Sequence, residues 1–119
     1  MINNQIIGKF GEKLAKNYLI RHGYQILASN VKTSYKEIDI IARKGTRLIF
    51  VEVKTRQSET FGTADEAMSW SKLNNFNRAI ELYMARRNIE TDDIRADLIS
   101  IDLNRYEKTA KIKHYKDIF

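Results

Sequence analysis

Near the start of the chain, apolar residues recur at intervals of three and four. Ile7, Phe10, Leu14 and Tyr18 form one stripe and Lys9, Lys13 and Lys16 turn the other way, which is the period of an amphipathic helix. Asn3 or Asn4 can cap its start, and Gly23 after His22 predicts a stop at a left-handed C-terminal position. Tyr24 to Ala28 reads as a short strand closed by the turn-formers Ser29 and Asn30. Lys36 to Arg43 and Arg47 to Thr55 are rich in Ile, Val and Phe and predict two more strands. Residues 56–63 carry no period and read as a loop beginning at Arg56. Thr63 and Glu66 have the spacing of a capping box, which opens a helix running to about Arg87. Leu73, Phe76, Ile80, Tyr83 and Met84 mark its buried stripe, and Trp70 is expected in the core with them. A polar turn at residues 90–93 leads to a strand from Arg95 to Leu103, and residues 111–115 alternate as an edge strand would.

This α-β-β-β-α-β order, with a further strand in the tail, predicts a single α/β domain over residues 1–119. A chain of 119 residues suits one core and leaves no room for two. Its longest apolar run, Leu48-Ile49-Phe50-Val51, is too short to cross a bilayer. Residues 1–5 lack a charged segment leading into an apolar one, so no secretory signal is expected and a cytoplasmic location is. The chain has no cysteine, which excludes disulfides, thiol nucleophiles and thiolate metal sites.

Charge changes the picture. The formal net charge is +6, and residues 1–60 hold 11 Lys and Arg against five Asp and Glu, whereas residues 61–119 hold ten of each. The whole basic surplus sits in the first half and points to an anionic partner, nucleic acid above all.

The few acids of that basic half are placed informatively. Gly45-Thr46 between two apolar strands fits a two-residue hairpin loop with Gly first. Lys44 then pairs with Arg47, and counting back puts Asp39 opposite Glu52 and Glu37 opposite Lys54. Side chains alternate along a strand. Asp39, Glu52, Lys54 and Glu37 are therefore expected on one face with Ile41, Leu48 and Phe50, and Ile38, Ile40, Ala42, Ile49, Val51 and Val53 on a core face. Two carboxylates directly opposed, roughly 4.5–5.5 Å apart at Cβ, repel unless a cation lies between them. A divalent cation with hard oxygen ligands, Mg²⁺ or Mn²⁺, meets that need and leaves room for water and phosphate. On this reading Asp39 and Glu52 hold the metal, Lys54 orients the attacking water or steadies charge on the phosphate, and the reaction is phosphodiester hydrolysis. Glu52-Val53-Lys54 alone also fits an exposed ion-pair patch of little energetic weight.

Asp39 followed at a distance by Glu52-x-Lys54, inside this order of elements, resembles the PD-(D/E)XK nuclease superfamily. More closely, the chain resembles the YraN-like family of small bacterial proteins, predicted to be endonucleases. The resemblance spans nearly the whole length. It is carried by Gly8, Gly11-Glu12, Ala15 and Tyr18-Leu19, then Asn30, Glu37-Ile38-Asp39 and Phe50 to Arg56, and finally Phe61-Gly62, Glu66-Ala67, Lys72 and Asp97. It implies a restriction-endonuclease-like core and likeness to archaeal Holliday junction resolvases, which are dimeric, metal-dependent and cut branched DNA. It also implies a further acid from the first helix, and Glu12 stands at the matching place, on a shoulder formed by Gly8, Ala15 and Leu19. By spacing alone Glu12 equally fits an exposed helix position beside Lys9 and Lys16. The family usually has Gly before Glu-Ile-Asp, where this chain has Lys36.

The resulting expectation is an endonuclease using Mg²⁺ or Mn²⁺ on DNA, branched or damaged, and forming a homodimer, with Asp39, Glu52, Lys54 and Glu12 as its site. Lys36, Arg56 and Lys72 are expected to contact nucleic acid. The alternative is a non-catalytic nucleic-acid-binding module with the same fold. His22 and His114 have no ligand spacing between them and are read as capping or surface residues.

Overall fold

The first helix runs from Asn4 to Arg21 (α1) in a computed structural model that describes residues 4–57 and 68–119. It stops where its glycine allows. Gly23 has φ +88°, its N–H donates to Ile20 O at 3.1 Å, and the Tyr24 N–H reaches back to Leu19 O at 2.9 Å. These bonds satisfy carbonyls that the last turn leaves open, and Leu19 and Tyr24 are buried in one cluster that fixes the exit of the chain.

Five strands and a second helix follow: β1 (Gln25–Val31), β2 (Ile38–Lys44), β3 (Arg47–Gln57), α2 (Trp70–Arg86), β4 (Ile94–Asn104) and β5 (Thr109–Tyr115). The sheet order is β1-β2-β3-β4-β5. Only β3 and β4 run parallel, and α2 lies between them in sequence, since a parallel pair needs a crossover. This is the expected α/β order, a mixed sheet flanked by helices and compatible with a restriction-endonuclease-like core. The hairpin register is as expected: Lys44 pairs with Arg47 and Ile40 with Val51, around Gly45 at φ +62°. Among the described residues, no helix is long and apolar enough to cross a membrane.

Both faces of the sheet are covered, which corrects the expectation of one core face and one acid-bearing face. Ala15 and Leu19 of α1 pack with Ile40, Ala42, Ile49, Val51 and Ile99. Phe76, Ala79 and Ile80 of α2 pack with Ile38, Ile41 and Phe50 on the other side. A sheet buried on both faces needs near-continuous apolar strands. Ile38 was expected beside Ile40 but joins the α2 side, so alternation breaks at the start of β2.

The buried line of α1 is Ile7, Gly11, Ala15 and Leu19, while Phe10 is 50% exposed. Small residues make the contact because the helix lies so close to the sheet. A Cβ added to Gly11 would stand 1.8 Å from Thr55 Oγ1, whereas one added to Gly8 would meet nothing within 4 Å. The expected capping box at Thr63 and Glu66 lies outside the described residues. α2 begins later, with Ser69 as its cap accepting from the Lys72 N–H at 3.2 Å. Trp70, expected in the core, is 80% exposed, because it opens the helix before the buried positions begin at Phe76.

His114 also departs from its expected surface role. Its side chain is 4% exposed, and Nε2 lies 2.7 Å from Asp97 Oδ2 while Nδ1 faces the Tyr18 hydroxyl at 3.2 Å. Arg95 donates twice to Asp97, at 2.9 Å each, and the Asp117 N–H donates to it at 3.0 Å. Burial alone would raise the Asp97 carboxyl, but the hydrogen bonds from His114, Arg95 and Asp117 outweigh it and hold Asp97 below its ordinary range. This fully buried carboxylate ties β4, β5, α1 and the C-terminal residues together.

The glycine geometry makes a paired prediction. Gly11→Ala should destabilise by about 1–3 kcal/mol through overpacking against Thr55. Gly8→Ala should stabilise by up to about 1 kcal/mol, since only helix propensity changes there. Urea unfolding of the two variants checks both signs.

Candidate metal centre

The candidate site forms where β2 parts from β3. Their ladder ends at Ile40 and Val51, although β3 stays paired with β4 out to Gln57. Beyond that point the Val53 N–H, which has lost its strand partner on the β2 side, donates to Asp39 Oδ2 at 2.8 Å. Asp39 thus sits in a notch between two diverging strands rather than on an open face.

Three other acids reach the same place. Glu12 from α1, Glu37 from the approach to β2, and Asp39 each offer a carboxylate oxygen, and these oxygens lie within 4.8 Å of one another. Glu52 on β3 is the electrostatic neighbour that affects Asp39 most. Burial first, then the charge of Glu52 and a hydrogen bond to it, push the Asp39 carboxyl up to about 8; Glu12 adds to this and the Val53 N–H opposes it. The ladder stops short of the expected cross-strand pairing of Asp39 with Glu52 and of Glu37 with Lys54, and Asp39 meets Glu52 and Glu12 as electrostatic neighbours across the notch instead.

Two donors hold the acids in position. The Asn30 side-chain amide donates to Glu12 Oε1 at 2.8 Å and to Glu37 Oε1 at 3.0 Å. Asn30 is at φ +52°, a left-handed conformation that Asn adopts more readily than most residues. Lys36 makes an ion pair with Glu52 Oε2, and its ammonium lies 5.6 Å from the centre of the Phe76 ring. A tight turn presents it there: Thr33 Oγ1 accepts from the Lys36 N–H at 3.2 Å and donates to Lys36 O at 2.6 Å.

The other candidates are placed as follows. Lys54 is half-buried on β3 opposite Ser100, and Arg56 belongs to β3 opposite Asp102 rather than to a loop. Lys72 is exposed in the first turn of α2. Lys36, expected on nucleic acid, is paired with Glu52. Sequence reasoning missed the membership of Glu37 and the bridging role of Asn30. Glu37 shares its strand parity with Asp39, which was the available signal, whereas Asn30 stands seven residues from Glu37 and eighteen from Glu12 and meets them only in the fold.

Clustered carboxylate oxygens, met by the Asn30 amide and the Lys36 ammonium, form a donor set of hard oxygens. Such a set fits Mg²⁺ or Mn²⁺ rather than a soft metal, with Asp39, Glu12, Glu37 and Glu52 as the residues able to hold it.

A mixed five-stranded sheet flanked by two helices, with acids converging at a strand divergence, places the chain among α/β proteins with a core compatible with the restriction-endonuclease-like fold. The chain belongs to Uncharacterised protein family UPF0102, which residues 11–101 match. It is 44% identical over 103 residues to a UPF0102 protein of Dictyoglomus turgidum, covering 87% of each chain. It is 42% identical over 118 residues to one of Alkaliphilus oremlandii, covering 98% of this chain and 99% of the relative. Glu12, Asn30, Glu37, Asp39, Glu52 and Lys54 all fall inside the matched stretch.

Two outcomes follow from this geometry. A carboxyl raised in the folded state contributes stability that is complete below its ordinary value of 3.8 and is lost as pH rises through about 8. In EDTA the melting temperature should fall between roughly pH 5 and 8 with the slope of one proton, and Asp39→Asn should flatten the profile. Asp97 works in the opposite sense, losing its contribution only as pH falls below 3.8, so it does not mask the effect. Lys36 competes with any cation for Glu52. Lys36→Gln should therefore raise Mn²⁺ affinity on the order of tenfold, about 1.4 kcal/mol, by titration calorimetry.

Proposed function

We propose that this protein is a metal-dependent endonuclease that hydrolyses phosphodiester bonds in DNA, with branched or damaged DNA as the favoured substrate. The observation that carries this reading is the gathering of Asp39, Glu12, Glu37 and Glu52 around one notch. Lys54 stands two residues beyond Glu52 on the same strand, in the basic half of the chain. A binding module gains nothing from a cluster of acids facing phosphate, since each carboxylate repels the ligand.

The residues divide the work. Glu12, Glu37, Asp39 and Glu52 would hold Mg²⁺ or Mn²⁺. A divalent cation bound there supplies polarisation of the phosphate and a lowered pKa for water. Lys54 stabilises the charge that grows on the phosphate oxygens. Asn30 positions two of the carboxylates, and Lys36 neutralises Glu52 until a cation replaces it. The surrounding lysines and arginines hold the DNA backbone.

Incubation with linear duplex, single-stranded and four-way-junction DNA, with and without Mn²⁺ or Mg²⁺, tests the proposal. Cleavage is expected only with metal, reduced at least about 100-fold in Glu52→Ala and Lys54→Ala with DNA binding retained. No cleavage of any substrate, with binding unchanged in both variants, would overturn it in favour of a non-catalytic nucleic-acid-binding module.

A further inference from the structure

The loop that carries Lys36 and Glu37 has a second side. Residues 32–37 join β1 to β2 and are clasped onto α2. Arg78 Nη1 donates to the Tyr35 hydroxyl at 3.3 Å, with its guanidinium 5.4 Å from the Tyr35 ring. Arg86 Nη2 donates to Ser34 Oγ at 3.4 Å. Between this loop and the end of α2 lies a cleft of about 370 Å³, and Lys32, Arg86 and Arg87 are among its lining residues. None of the residues lining it is acidic.

Three cations in one cleft repel one another. The negative end of the α2 dipole stabilises a cation in the last turn, which accounts for Arg86 or Arg87. It does not account for Lys32, which arrives from a different element. The two guanidinium groups are also held in place, Arg86 by Ser34 and Arg87 4.8 Å from the centre of the Tyr83 ring. Guanidinium groups fixed in this way are preorganised for phosphate oxygens, which they meet with two parallel hydrogen bonds.

We propose that this cleft is a phosphate-binding subsite for the backbone of the DNA arm flanking the acid cluster; the inference rests on the nuclease reading above. The loop sets the reach. From Lys36 to Lys32 is four residues, at most about 14 Å of extended chain, or roughly four steps of 3.4 Å along a DNA strand. The backbone held at Lys32, Arg86 and Arg87 belongs within about four nucleotides of the phosphate at the acids.

Fluorescence anisotropy with a labelled 20-base-pair DNA duplex, titrated in EDTA at several salt concentrations, tests the subsite, with duplex RNA of the same sequence as a second arm. The double variant Lys32→Gln/Arg87→Gln leaves the Arg86–Ser34 clasp intact. It should bind DNA on the order of tenfold more weakly and lose about two units from the slope of log K against log salt, roughly 0.9 per phosphate contact. Arg105→Gln/Lys108→Gln, in the β4–β5 turn beside the start of α1, should keep the wild-type slope. Equal slopes in the wild type and the cleft variant overturn the subsite and leave the nuclease reading standing. No DNA binding by the wild type overturns both, and binding of RNA alone overturns the assignment to DNA.

Discussion

At the divergence of β2 and β3, Coulomb repulsion sets the terms for everything nearby. Glu12, Glu37, Asp39 and Glu52 approach one another where water is partly excluded, and a carboxylate cluster in such a place persists only with a proton, a donor or a cation among its members. The chain's own residues supply all three. Asp39 is pushed toward its protonated form, Asn30 bridges Glu12 and Glu37, and Lys36 lies on Glu52. Each is a partial substitute for one divalent cation, which would satisfy several carboxylates at once.

The rest of the fold holds that cluster in place. Glu12 reaches the notch because α1 runs close to β3, and Gly11, its neighbour in sequence, has no side chain to hold the helix away from Thr55. β3 continues as a strand past the notch because β4 pairs with it from Leu48 to Gln57. β4 is anchored in turn by Asp97, whose partners come from β4 itself, from β5 and from the C-terminal residues. The buried Asp97 network is therefore structural. Removing Asp97 would leave Arg95 and His114 without their common acceptor, which is far more costly than never having buried the group.

Much of this was legible in the sequence where local chemistry decides. Gly45-Thr46 determined the hairpin register from Lys44–Arg47 to Ile40–Val51, though not where the ladder ends. Gly23 determined the end of α1. The misreadings share a physical cause, since each concerns a residue whose place depends on how near two elements come. Hydrophobic periodicity picked Phe10 for the α1 contact line, but a helix this close to a sheet buries its small residues, Gly11 and Ala15, and leaves Phe10 at the margin. Trp70 is apolar yet lies ahead of the part of α2 that meets the sheet. His114 has no partner within its own strand; Asp97 and Tyr18 reach it only through tertiary packing. The pairing of Lys36 with Glu52 was likewise illegible, because the turn that aims it there, built on Thr33, leaves no periodic trace.

The central claim is that the parting of β2 from β3 builds a site for a divalent cation at which Lys36 is a stand-in. The most direct measurement is anomalous diffraction from crystals of the protein grown with Mn²⁺. The account predicts one strong peak bounded by the carboxylates of Asp39, Glu12, Glu37 and Glu52, with the Lys36 ammonium displaced from Glu52. Lys36 still paired with Glu52 at saturating Mn²⁺, with no peak in the notch, would contradict it.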